Sequence, residues 1–230
     1  MSTMDASLHL LDRQVIDVDG RLVGKVDDLE LTEEDGALVV TGLLLGLGAL
    51  LPRFGRRLGP WLNSRYAQIS VSHAARRVPA VIDLDVVDRV ESGVHLRVAR
   101  EGLLRPRVQG IGGPVRHRLG ALLDLPVRAA SGQIEPGRRP RVLDVRLDHR
   151  PGESERCEVA ALLVGAGRPG ALLGYDRGRV GAPAPVAGLV AWLHRHSRLV
   201  DWGPGVEVDW ERGEVTVTAA AETRPLRPTS

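Results

Sequence analysis

Gly165-Ala166-Gly167-Arg168-Pro169-Gly170 spells G-x-G-x-x-G directly after an apolar run. That spacing can seat a dinucleotide when a helix starts there, with its first amides on the pyrophosphate and an acid about 20 residues on for the ribose. This sequence offers neither partner. Gly174, Gly178, Gly181 and Pro183 break any helix, and no acid stands between Asp176 and Asp201. The run reads as a strand ending in a loop. His194 and His196 could pair on a metal from an extended chain. Val186, Leu189, Val190 and Leu193 recur at helical spacing instead, which sends the two imidazoles to different faces. Cys157 has charged neighbours and no base assigned to it, so it reads as an inert thiol. As the single cysteine it permits neither an intramolecular disulfide nor a Cys-rich zinc site. No serine stands in a nucleophile-elbow context. The expectation is a protein without catalytic, cofactor-binding or metal-binding residues: no enzyme and no cofactor.

Charged and amphipathic stretches point to binding instead. Six acids lie between Asp27 and Asp35 and could hold a cation or a basic partner; the plainer reading is a solvated hairpin tip. In "LGALLPRFGRRLGPWL", helical spacing would align Leu47, Leu50, Leu51, Phe54, Leu58, Trp61 and Leu62, with Arg53, Arg56 and Arg57 off that stripe. Such a surface fits an anionic membrane or a partner's groove. Pro52, Gly55, Gly59 and Pro60 oppose the helix, and the competing reading buries Phe54 and Trp61 as a cap on their own domain. Arg53, Phe54, Arg56, Arg57 and Trp61 are the candidate partner-binding residues. Arg105, Arg107, Arg116 and Arg118, with Arg138, Arg139 and Arg141 beyond, could touch phosphate, but the stacking aromatics of single-strand binders are missing among them.

The elements that would position these residues are short strands. Hydrophobic residues make up 43% of the 230, enough for a core, while aromatics are only 3%, so Val, Leu, Ile and Ala must fill it. Net charge is +2, far from the massed positive field of a dedicated nucleic-acid binder. Asp19-Gly20 and Asp35-Gly36 each sit between β-rich runs, which is a strong local hairpin signal. In "IDLDVVDRVESGVHLRV", Ile82 to Val98, apolar and polar residues alternate on both sides of a Ser-Gly turn, predicting a further hairpin.

The second half repeats this order. "VRAASGQ" answers "VIDVDGR", with Gly132 matching Gly20, and "RVLDVRLDH" answers "KVDDLELTE", with Arg141, Asp144 and Leu147 matching Lys25, Asp28 and Leu31. "VDWGPGVEVDWERGEVTV" returns the opening hairpin, with Gly213 matching Gly93. In both copies the apolar phase slips around Asp28 and Asp144, and a β-bulge at those positions would keep both carboxylates outside. A shared irregularity points to duplication of one ancestral unit.

These repeated stretches, "DGRLVGKVDDLEL" with "IDLDVVDRVESGVHLRV" and "RVLDVRLD" with "VDWGPGVEVDWERGEVTV", resemble the PRC-barrel family, which includes the cytoplasmic part of the photosynthetic reaction-centre H subunit and the C-terminal domain of the ribosome maturation factor. The second copy departs from the first: "GQIEPGRRPRV" is longer than "GRLVGKV", with Pro136 and Pro140 in the early strand. The resemblance implies a mainly β protein, two small antiparallel PRC-barrel-like β-barrels in tandem with short helical inserts. Residues 1–104 would form the first, 105–118 an Arg/Pro/Gly linker, 119–221 the second, and 222–230 a disordered tail. It implies a non-catalytic adaptor or scaffold that binds protein partners, with a peripheral membrane contact as an added candidate; an RNA- or ribosome-associated assembly factor is the alternative. The N-terminal "MSTMDASLHL" carries acid where a signal peptide needs positive charge, and Ala37–Leu51 is too short and Gly-rich to span a bilayer. The expected location is the cytoplasm.

Overall fold

The computed structural model describes residues 2–46, 79–106, 114–130, 140–150, 156–165 and 197–225. The chain opens with strand β1 (Ser2–Asp5) and one helical turn, α1 (Ala6–His9). Strands β2 (Gln14–Ile16), β3 (Leu22–Lys25), β4 (Asp28–Glu34) and β5 (Ala37–Leu45) follow. Then come β6 (Ala80–Asp83), β7 (Val87–Val90), β8 (Val94–Leu96), β9 (Arg105–Pro106) and β10 (Arg116–Arg118), and a second helical turn, α2 (Leu119–Leu122). The remaining strands are β11 (Val127–Ala129), β12 (Arg141–Arg150), β13 (Arg156–Gly165), β14 (Arg198–Asp201), β15 (Val206–Asp209), β16 (Glu214–Val217) and β17 (Thr223–Pro225). The protein is mainly β. The candidate residues Arg53, Phe54, Arg56, Arg57 and Trp61 lie outside the described residues, as do Gly167, Gly170, His194 and His196.

The residues group into two compact units: Met1–Ser2, His9–Ala121 and His149–Glu158 form the first, and Thr3–Leu8, Leu122–Asp148 and Val159–Ser230 the second. In the first unit a four-stranded sheet runs β3-β2-β8-β7, and the strands β10-β4-β5 pair in that order, with β6 on β5 and β9 on β6. In the second unit a three-stranded sheet runs β11-β16-β15, and the strands β1-β12-β13 pair in that order, with β14 on β13 and β17 on β14. Element by element, one unit answers the other. β2 pairs β8 in parallel with Val15 opposite Val94, and β11 pairs β16 in parallel with Val127 opposite Val215. Those two parallel pairs are exceptions to the expected, mostly antiparallel pairing. No sheet among the described residues closes into a barrel.

Local chemistry explains the turns. Asp35 and Gly36 take φ of 50° and 79° between the paired residues Glu34 and Ala37. Both central positions of this two-residue loop need positive φ, and its backbone twist suits the strands it joins. Asp12 and Asp124, at matching places after the two helical turns, have φ of 65° and 67°. Each donates its backbone N–H across 2.8 Å, Asp12 to the Val26 carbonyl and Asp124 to the Val142 carbonyl. Aspartate is one of the few residues other than glycine that tolerates this conformation.

The interiors are aliphatic. Leu29, Leu31, Leu38, Leu43 and Ile82 are buried in the first unit, and Leu147, Leu162 and Leu163 in the second. Each such side chain contributes about 1.5–3 kcal/mol relative to exposure. β5 is buried along nearly its whole length, so its apolar run is continuous where a half-solvated strand would alternate.

Several expectations need correction. Ile82–Val98 is not one hairpin: Ile82 and Asp83 belong to β6, a single 3-10 turn at Leu84–Val86 redirects the chain, and the hairpin is β7 with β8. A short alternating run cannot reveal that its first residues pair with a different strand. The irregularity in β4 lies where Glu30 faces Gly42 and Leu31 faces Val40, leaving Thr41 as the extra residue on β5. Asp28 and Asp144 are therefore not held outside by a bulge; they are buried, at 0% and 1% exposure. The segment read as a linker carries β9 and β10 near its ends, and the segment read as a disordered tail contributes β17.

Candidate interaction site

The buried aspartates are the centre of the described polar chemistry. In the first unit Asp28 Oδ1 accepts the backbone N–H of Leu29 at 2.9 Å and that of Gly120, in α2, at 2.9 Å. In the second unit Asp144 Oδ1 accepts the N–H of Val145 at 2.8 Å and that of Ser7, in α1, at 3.1 Å, together with the Ser7 hydroxyl at 2.9 Å. A carboxylate oxygen is well suited to this because the first amides of a helical turn have no acceptor of their own. One oxygen of each buried carboxylate is thus bonded by a segment far away along the chain.

Charge surrounds both contacts. β10 pairs β4 with Arg116 opposite Thr32, His117 opposite Leu31 and Arg118 opposite Glu30. Arg116 Nε lies 3.6 Å from Glu30 Oε1, and His117 Nε2 lies 4.0 Å from Glu33 Oε1. Glu30 also accepts the Thr41 hydroxyl at 3.0 Å. Burial pulls the His117 imidazole below its usual 6.5 against the opposing attraction of Glu33. In the second unit Arg146 Nε donates to Asp5 Oδ1 at 3.0 Å, with both side chains largely shielded from water.

The acidic run is therefore split. Asp27, Asp28 and Glu30 are buried, and Glu33, Glu34 and Asp35 form the solvated tip. Asp27 Oδ2 accepts the Gly46 N–H at 2.7 Å. The chain's own β10, with its candidate phosphate-contacting arginines, supplies basic partners to this run, as do Lys25 beside Asp27 and Arg156 beside Glu34. Cys157 is buried on β13 opposite Val40, a core position. Gly165 ends β13, where a Cβ would stand 2.6 Å from Ser197 Oγ and 2.8 Å from Leu143 Cδ1. Packing alone accounts for that glycine.

No family model matches the chain, and no curated protein matches it either. What the described residues offer is a framework with matched anchors, and among them no group of acids, histidines and cysteine is placed to hold a metal ion. No helix among the described residues is long and apolar enough to cross a membrane.

Asp17 is a further carboxylate committed to structure. It is 3% exposed, and it accepts the backbone N–H groups of Asp19 at 3.0 Å, Arg21 at 2.8 Å and Arg100 at 3.2 Å. Burial raises its pKa, but the amides of Arg21, Arg100 and Asp19 and the Arg21 charge outweigh that and hold it below the usual 3.8. A depressed carboxyl stabilises the fold fully above the unfolded value of 3.8, and the contribution is lost as pH falls through the lower folded value. Urea titrations at pH 7 and pH 3 should therefore show a smaller acid loss in Asp17→Asn than in the parent, from a lower starting stability. Equal acid losses in the two chains would show that Asp17 is not a source of the acid sensitivity.

The residues that sequence reading missed were Asp5 and Arg146, and the bonding role of Asp28 and Asp144. A signal for the first two was present. Glu30 and Arg146 occupy matching places in the two copies, and so do Arg118 and Asp5, each with charge reversed.

Proposed function

We propose that this chain is a non-catalytic cytoplasmic adaptor or scaffold, built from two PRC-barrel-like repeats, that binds protein partners and does so at a membrane surface. The duplicated framework carries the reading. What the repeats share is bonding that holds backbone in place: Asp28 with Asp144, Asp12 with Asp124, and the parallel pairs of β2 with β8 and β11 with β16. Duplication of a scaffold multiplies surface, and an adaptor uses surface. Apolar exposure supports this in the first repeat, where Val18 and Leu22, flanking the Asp19-Gly20 turn, are 59% and 56% exposed. Arg53, Phe54, Arg56, Arg57 and Trp61 are the proposed partner face. The arginines Arg116 and Arg118 are set against Glu30 of the same chain, which makes them poorer phosphate ligands than their sequence suggests.

The test is a pull-down of the tagged full chain from native lysate, separated into soluble and membrane fractions, with and without RNase. The expected result is a protein partner in the membrane fraction that survives RNase and is lost from Arg53/Arg56/Arg57→Glu. Ribosomal proteins that depart with RNase would overturn the adaptor reading in favour of a ribosome-associated factor.

A further inference from the structure

The boundaries of the repeats and those of the compact units do not coincide. Each repeat starts with a strand and a helical turn, β1–α1 in the first and β10–α2 in the second. Thr3–Leu8 groups with the unit holding the second repeat's sheets, and the residues up to Ala121 group with the unit holding the first's. Each leading segment thus completes the other repeat. Its helical turn donates an amide to the buried aspartate there, from Gly120 to Asp28 and from Ser7 to Asp144.

The amide bonds are alike in the two units and do not by themselves tell one leading segment from the other, although the Ser7 hydroxyl adds a bond to Asp144 that Gly120 cannot make to Asp28. The flanking charges do. The acidic leader places Asp5 on Arg146, and the basic leader places Arg116 and Arg118 beside Glu30. Because the two receiving positions match, a leader docked on its own repeat would set Asp5 against Glu30 and Arg118 against Arg146. Both pairings are like-charged, and both would fall at positions mostly screened from water, where repulsion is weakly damped. We infer that the two repeats exchange their leading segments and that this charge reversal dictates which leader each repeat accepts, the second taking an acidic segment and the first a basic one. This is specificity by rejection of the wrong pairing as well as attraction of the right one.

The sign of one substitution tests it in the full chain. Asp5→Arg meets Arg146 if the leaders are exchanged and relieves Glu30 if they are not. Exchange therefore predicts that Asp5→Arg lowers the folded-to-unfolded ratio in urea, by about tenfold for a partly shielded pair. Arg146→Asp alone should do the same, and Asp5→Arg with Arg146→Asp should regain most of the loss. Arg118→Asp should also destabilise, by facing Glu30. A gain of stability in Asp5→Arg or Arg118→Asp, or simple addition of the two losses in the double variant, would overturn the inference. Should Asp5→Arg fail to fold, Asp5→Asn and Arg146→Gln close the same cycle, and zero coupling between them would overturn it equally.

Discussion

Asp28→Ala is expected to destabilise the protein by about 3–5 kcal/mol, since two buried amides lose a charged acceptor and each unsatisfied donor costs about 1–3 kcal/mol. The donors are the N–H groups of Leu29 and Gly120, both at 2.9 Å from Oδ1, and the aspartate is fully buried. A loss of that size is a large part of the roughly 5–15 kcal/mol that holds a typical domain together. Asp144→Ala should behave alike, because Val145, the Ser7 amide and the Ser7 hydroxyl all bond its Oδ1. Asp28→Asn is the informative control. An amide oxygen can still accept both bonds, so its loss should be well below that of alanine. Chemical denaturation followed by circular dichroism measures the series. Equal losses for Asn and Ala would mean that the charge, and not the two accepted bonds, is what the site requires.

Leu119→Ala carries the next largest effect, about 2–5 kcal/mol, the range for truncating a buried leucine to leave a cavity. Leu119 is the first residue of α2, is 0% exposed, and stands one residue before the Gly120 amide that Asp28 holds. Apolar burial and the aspartate bond therefore fasten the same turn, and the losses from Leu119→Ala and Asp28→Ala should not simply add. Leu104→Ala, at 46% exposure in the same unit, should change stability by under about 0.5 kcal/mol. Thermal unfolding of both chains provides the comparison. A Leu119→Ala chain as stable as Leu104→Ala would mean that the leading segment adds nothing to the core it joins.

The bond that Asp28→Ala removes joins residues remote in the chain, which is where sequence reasoning stopped. "KVDDLEL" and "RVLDVRL" showed that something unusual happens at Asp28 and Asp144. A local account supplied a bulge to keep them wet, because a strand considered alone has no partner for an inward carboxylate. The partners lie 92 residues away for Asp28 and 137 for Asp144. The acids of β4 and the arginines before α2 were each legible as candidate binding groups, and nothing in their separate contexts pointed each to the other.

What the sequence determined by itself is local or repeated. Asp35-Gly36 must turn because its two residues tolerate positive φ, and the apolar runs around it must be strands of a core built almost wholly from aliphatic side chains. The duplication is equally legible, since it is a comparison of the chain with itself. Only the tertiary structure decided that β2 runs parallel to β8, that Asp28 and Asp144 face inward, and that each leading segment completes the other repeat. The physical reason is common to all three. Alternation and turn chemistry act over a few residues, whereas burying a carboxylate or choosing between two near-identical docking places depends on donors and charges that only folding brings within a few ångströms.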